Sequence, residues 1–385
     1  LNLGKIFLFL LFCSHAWAAE PKINVRIGKW LKNVTVKGID LKKKIFSKKS
    51  RSQIYPGRKI IKFNCLSKRK NLFKKPRLVA SLSTQSGIID WEDKKYRGKL
   101  MLLTSADNTS CDLVNQMSLE NYISSLLAAE MRNDWPIEAL KAQAIAARTY
   151  ALHKIESQQV KNNAGYETYY DLENSEKHQV NGTLYDESPL TRRAALKTRG
   201  QILKSKNGKL TPIFFHSKCG GQTILPQNIW SNPVAGYKSV DCPNCHPYGK
   251  KPWKTYVDEY SFKKTINELY HDYKGEEVVF KKEEYNLPIT LLSDTTDKRF
   301  IRFYKNGELY TFKKSYLRKV LGRRILPSNN FEILYDKNGY RFVGTGYGHG
   351  AGLCQFGAYA MALKGKTYKQ ILAHYFPGHK IENIY

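Results

Sequence analysis

Acidic residues are scarce in this sequence: 33 Asp plus Glu stand against 64 Lys plus Arg, a formal charge of +31 over 385 residues. The imbalance calls for a polyanionic partner or an anionic surface without saying which. After the first eighteen residues there is no run of the ~20 consecutive apolar residues that a transmembrane helix needs, so no transmembrane segment is expected. Internal repeats and low-complexity linkers are absent too. With 42% apolar and 12% aromatic residues, a wholly disordered or collagen-like chain is excluded. The length fits two domains or one large core with insertions.

The opening residues narrow the choice of partner. Lys5 precedes the apolar run Ile6 to Cys13, and Ala16-Trp17-Ala18 follows, the pattern of a secretory signal peptide over residues 1–18. Phe12 stands where a lipoprotein signal needs a small residue, so Cys13 is not read as a lipid anchor. An exported protein, periplasmic or extracellular, makes nucleic acid a poor partner. A cell-wall polymer, an anionic lipid surface and an acidic protein remain. Six cysteines follow the signal: Cys65, Cys111, Cys219, Cys242, Cys245 and Cys354. An even number permits disulfides in an oxidising compartment, but six are too few to staple a chain this long.

Between Lys22 and Lys75 there are 19 Lys or Arg and one acid, Asp40. Short β-prone runs at Asn24–Ile27, Val34–Val36, Ile60–Phe63 and Leu78–Ala80 predict a small basic β module over 19–112. The lysines there serve either an anionic partner or a merely solvated face. Ser118 is a good N-cap, and Leu119, Tyr122, Ile123, Leu126 and Leu127 recur at helical spacing. A second helix starts after Asn133-Asp134-Trp135-Pro136, with Ile137, Leu140, Ala144, Ala147 and Ala151 on an Ala-rich face. The expected fold class is α+β: mixed strands, a helical pair within 113–246, an inserted α/β segment over 247–340, and a Gly-rich then helical end over 341–385. Helices are expected at Ser261–Tyr273, Leu353–Lys364 and Tyr368–Tyr375, and strands at Tyr166–Leu172, Gly200–Leu203, Pro212–Phe215, Phe300–Tyr304 and Phe331–Leu334.

Glu130 is the next position on the apolar stripe of the first helix. A carboxylate desolvated there has its pKa raised, which suits a general acid. The alternative is a helix-end glutamate that reaches water or pairs with Arg132 or Arg148. Asp134 and Asp171 could assist, or serve as a helix cap and a turn. Cys242-Pro243-Asn244-Cys245-His246 has the spacing of half a zinc site, and His216-Ser217-Lys218-Cys219 could supply the rest. Disulfides are the rival in an oxidising compartment. The zinc reading makes Cys219, Cys242, Cys245 and His216 the four ligands of a structural ion.

Leu119–Ile123, Ala128–Met131 and Trp135–Tyr150 resemble the SpoIID/LytB family of cell-wall proteins. Phe215-His216-Ser217 with Gly220–Thr223, Gly346–Ala358 and Ile371–Gly378 are similar to it as well. The resemblance implies peptidoglycan glycan strands as substrate and, in the sporulation branch, a lytic transglycosylase whose catalytic glutamate aligns with Glu130. A single carboxylate suits that reaction, because the muramyl C6 hydroxyl attacks its own anomeric carbon and leaves a 1,6-anhydro end. From the LytB side the implied alternative is a non-catalytic wall-binding enhancer of an N-acetylmuramoyl-L-alanine amidase, making an amidase a possible partner.

With sugar as ligand, His349 between glycines and Gln355 with its amide are candidates to line the cleft, and so are His216, Ser217, Gly220 and Gly221. For each, the rival reading is a turn or a satisfied core group. Arg148 would bind a lactyl carboxylate or fix the surroundings of Glu130. The Cys/His metal cluster of the sporulation members is not carried over, since only His178 of it is present. Where the family more often has serine, this chain has Cys219 and Cys354, which hints that the two lie near each other.

Overall fold

The computed structural model describes residues 19–47, 49–65, 76–105, 109–163, 168–175, 182–230, 232–245, 252–274, 280–285, 289, 291, 299–305 and 307–385. The expected signal peptide at 1–18, His178 and His246 lie outside the described residues.

Eight strands come first: β1 (Lys22–Leu31), β2 (Asn33–Ile45), β3 (Arg51–Asn64), β4 (Arg77–Ser83), β5 (Ile88–Trp91), β6 (Lys94–Arg97), β7 (Lys99–Thr104) and β8 (Cys111–Ser118). With β9 (Leu172–Glu173) they form one sheet in the order β6-β5-β2-β4-β7-β8-β1-β9, and β3 pairs with β2. The four β-prone runs all fall within these strands. Alternation sends Val34, Val36, Leu41, Leu82, Ile89, Leu100 and Leu113 to one face, where they pack as a core of their own. Asp40, with φ of 53°, marks a bulge between Ile39 and Leu41. A Cys65–Cys111 disulfide ties the end of β3 to the start of β8.

β8 runs across the expected boundary at 112 and passes directly into α1 (Leu119–Glu130), with Ser118 as both last strand residue and N-cap; its hydroxyl accepts from Asn121 N. α2 (Ile137–Asn163) follows. An Ala-rich face was expected there, but every residue from Ala142 to Leu152 is buried. Small side chains let neighbours approach α2 from all sides, so it is the axis of the main core, which also takes in β1, β8 and α1. The remaining elements of this core are α3 (Pro189–Lys197), β10 (Gln201–Ser205), β11 (Phe215–His216) and further strands and helices near the end of the chain; the short α4 (Gln227–Trp230) follows β11 outside it. Of the expected strand at Pro212–Phe215 only Phe215 is in a strand, and of that at Tyr166–Leu172 only Leu172 is in one among the described residues.

Where an inserted α/β segment over 247–340 is expected, the chain forms β12 (Trp253–Asp258), α5 (Glu259–Lys274), β13 (Phe300–Lys305), β14 (Glu308–Lys313), α6 (Lys314–Leu321), β15 (Phe331–Asp336) and β16 (Gly339–Gly344), the last running past 340. The aromatic core of this segment, with Phe262, Phe303, Phe331, Tyr340 and Phe342, is separate from the main one. It rests on the turn around α4, where Lys313 Nζ donates to Gln227 O (3.1 Å) and Ser315 Oγ to Ile229 O (3.0 Å). The chain then returns through β17 (Leu353–Cys354), α7 (Gln355–Leu363), α8 (Tyr368–Tyr375) and β18 (His379–Asn383). β17 pairs in parallel with β11, and β18 antiparallel with β10. The fold is α+β, as the sequence indicated.

Candidate active site and cysteine cluster

α1 carries two carboxylates near its core side, and the structure treats them oppositely. Glu120 is buried and accepts from Arg148 Nε and an Arg148 terminal nitrogen (both 2.8 Å), from Gly200 N (3.2 Å) and from Tyr385 OH (2.5 Å). Arg148, fully buried, spends its other donors on the Gln201 and Ala195 carbonyls (3.0 and 3.3 Å). The expectation that Arg148 binds substrate or attends Glu130 is therefore corrected: its guanidinium is used up inside the core.

Glu130 is the last residue of α1 and is half-buried, not fully enclosed as the stripe suggested. The buried face ends at Leu127, and the helix stops at Met131, whose N–H closes on Leu127 O (3.0 Å). Burial, followed by the charge of Glu130, raises the pKa of the fully enclosed Tyr122. Arg132, the other suggested partner, instead holds Asp134 through two hydrogen bonds (3.1 and 2.8 Å). Asp171 accepts from Asn24 N (2.7 Å) and Asn24 Nδ2 (3.2 Å), the role of a turn. The turn after Glu130 is pinned at Trp135, whose ring lies 4.9 Å from Phe356 and 4.8 Å from Tyr359 on α7.

The Gly-rich segment curls because Gly346, Gly348, Gly350 and Gly352 all have positive φ. Gly348, at φ 104°, also leaves no room for a side chain, as a Cβ there would meet His216 Cβ at 2.9 Å. His349, half-buried, accepts from Ala351 N at Nδ1 (3.1 Å), which leaves its proton on Nε2. His216 Nδ1 donates to Ala351 O (3.0 Å), and its Nε2 is a buried acceptor with no partner. The two rings lie 5.6 Å apart. Burial pushes the pKa of His216 down to about 4. That of His349 is lowered by burial and then by the neighbouring basic groups His216, Arg318 and Arg323.

Trp230, 41% exposed, lies 4.9 Å from His349 and 4.4 Å from Phe214. Asn329 donates to His349 O (3.1 Å), and its Oδ1 is buried without a partner. Sequence reasoning missed both; a lone Trp in the turn-rich stretch before Asn232 was the one available signal. Gln355 is buried at the start of α7, so it is removed from the accessible wall. Ser217, Gly220 and Gly221 remain partly accessible near this loop, with Lys218 bridging to Tyr347.

The cysteines converge differently from expectation. The Sγ atoms of Cys219, Cys242, Cys245 and Cys354 all lie within 4.8 Å of one another and are buried. The fourth donor is Cys354, not His216, because the parallel register His216↔Cys354 carries Cys354 in while the His216 ring turns to Ala351 and His349. Cys219 Sγ and Cys245 Sγ are 3.4 Å apart, Tyr375 OH is 3.0 Å from Cys242 Sγ, and Gly357 N donates to Cys354 Sγ at 3.3 Å. Gly357 must be small here, since a Cβ would meet Cys242 Sγ at 2.6 Å. Hydrogen bonds from neighbouring thiols lower the pKa of Cys242 and Cys245, whereas burial raises that of Cys354. Four such buried thiols are close enough to hold a metal ion, and their donor set is one that suits zinc.

Residues 107–204, from just before β8 through α1, α2, α3 and β10, match the stage II sporulation protein (SpoIID) family. An uncharacterized protein of Brachyspira hyodysenteriae is 34% identical over 284 residues, covering 74% of this chain and 71% of its own. Stage II sporulation protein D of Bacillus subtilis is 29% identical over 286 residues, 71% of this chain and 77% of that protein. The amidase enhancer of Bacillus subtilis is 24% identical over 305 residues, 66% of this chain but 39% of that protein. The chain belongs to the SpoIID/LytB family.

Proposed function

We propose that this protein is an exported, wall-associated lytic transglycosylase that cleaves peptidoglycan glycan strands and leaves 1,6-anhydro-muramyl ends. The observation that carries the reading is the contrast on α1: Glu120 is consumed by Arg148, whereas Glu130 ends the helix with solvent access. Protonated Glu130 donates to the leaving glycosidic oxygen. The muramyl C6 hydroxyl then attacks the anomeric carbon, and the Glu130 carboxylate takes its proton. Both bonds exchange within one sugar, so neither water nor a second carboxylate takes part, which agrees with Asp134 and Asp171 being committed elsewhere. Trp230, 41% exposed beside the glycine loop, supplies a ring surface for the saccharide. Export is supported by the disulfide at Cys65–Cys111.

Cys219, Cys242, Cys245 and Cys354, whose sulfurs lie within 4.8 Å of one another, would hold one structural zinc that ties their loops together. Glu130→Gln should lower the release of anhydro-muropeptides from sacculi by about 10²–10⁴-fold while leaving the far-ultraviolet circular dichroism unchanged. Mass spectrometry of the digest decides: retained release makes Glu130 structural. No release by the wild type, with stimulation of an amidase, would assign the enhancer reading instead.

A further inference from the structure

The outward face of the β2–β3 ribbon combines two features that rarely share a surface. With Val34, Val36 and Leu41 turned into the core, alternation and the bulge at Asp40 leave Lys37, Ile39, Lys42 and Lys44 pointing outward. Their partners across the ladder, Ile60, Arg58, Ile54 and Ser52, share that face, and Lys62 extends it opposite Thr35. The three isoleucines are 54% (Ile39), 64% (Ile54) and 58% (Ile60) exposed. Lys37 meets Asp93 at 3.2 Å. Among the described residues, no ion pair engages Lys42, Lys44, Arg58 or Lys62.

We propose that this face docks the protein on an anionic lipid bilayer, with the cations at the headgroups and Ile39, Ile54 and Ile60 in the apolar boundary beneath them. An anionic polymer in water would reward the cations but leave three large aliphatic side chains wet. A bilayer interface rewards both, since peripheral binding grows with apolar area and with attraction to anionic headgroups. A second copy of the chain does not fit, because face-to-face pairing would set like charges against each other. Among the described residues β3 is an edge strand, paired with β2, but Pro56 withholds a backbone donor and the bulge at Pro56 and Gly57 breaks its ladder, which opposes an added strand. This inference is independent of the reaction assigned to Glu130.

Co-sedimentation of the full protein with vesicles tests it. Binding to an equal mixture of phosphatidylcholine and phosphatidylglycerol is expected, with little to phosphatidylcholine alone. Each of Lys42→Gln and Lys44→Gln should weaken binding about fivefold. The triple variant Ile39→Ser, Ile54→Ser, Ile60→Ser should weaken it at least tenfold, with glycan cleavage on soluble strands unchanged. Should that variant fold poorly, Ile54→Trp serves as a reporter whose fluorescence brominated acyl chains quench. An unquenched Trp, vesicle binding that ignores the isoleucines, sacculus retention that falls with the isoleucine variant, or a concentration-dependent dimer through this face would each overturn the proposal.

Discussion

Arg148 and Glu120 show how a buried pair at the core can imitate a binding site. Removing one partner strands the other charge among Thr198, Ala195 and Gly200, so Arg148→Met or Glu120→Gln should cost about 3–5 kcal/mol, read as a shift in urea midpoint. The folded fraction should still bind sacculi as well as the wild type; lost binding with intact stability would restore Arg148 to the site. Histidines set the acid limit. Burial lowers both His216 and His379 to about 4 from 6.5. Below about pH 6.5 the unfolded chain takes up protons that the folded one refuses, so stability is complete above that value and is lost as pH falls toward 4, by about 3 kcal/mol per ring. Denaturation midpoints followed across that range should drop, and His379→Asn should flatten the slope; a level profile would contradict this. At this scale the sequence showed Glu130 as an anomaly on a helix, but it could not show which carboxylate would find the buried arginine, because that depends on Gly200 and Tyr385 arriving from distant elements.

Elements were legible where periodicity was strong and opaque where pairing was remote. The cap at Ser118, the start of α2 just after Pro136, the helix near Ser261 and the strands near Phe300 and Phe331 follow from local spacing and terminus chemistry. The parallel pair β11–β17 has two residues in each strand and joins segments over 130 residues apart, which no local pattern encodes. That pairing is why His216 was named as the fourth ligand, although the expected nearness of Cys219 and Cys354, as a disulfide or as shared ligands, is what the cluster shows. It also gives the cluster mechanical reach: Cys354 caps α7, and α7 holds Trp135, five residues beyond Glu130. Periplasmically produced protein should carry about one zinc per chain. Chelation should lower thermal stability and cleavage together, and Cys354→Ser should do the same. Metal-free protein with these four thiols oxidised would replace the ion by disulfides.

Across the whole molecule, two cysteine chemistries coexist at separate addresses. The Cys65–Cys111 bridge closes a separation of 46 residues, so replacing both by serine should destabilise by about 2–4 kcal/mol in urea titrations, with metal content untouched. Loss of metal in that variant would show the sheet and the cluster to be coupled. The basic module was legible as charge and short strands, but the isoleucines on its outer face emerged only once register and bulge were known. The Glu120 carboxylate draws donors from positions 148, 200 and 385, the last of them 265 residues away. Synthesis delivers Glu120 and Arg148 long before Tyr385, so the helix pair spends that interval with a carboxylate short of a donor. Closing so distant a contact late makes assembly of the main core slow relative to a sequence-local hairpin such as β2–β3.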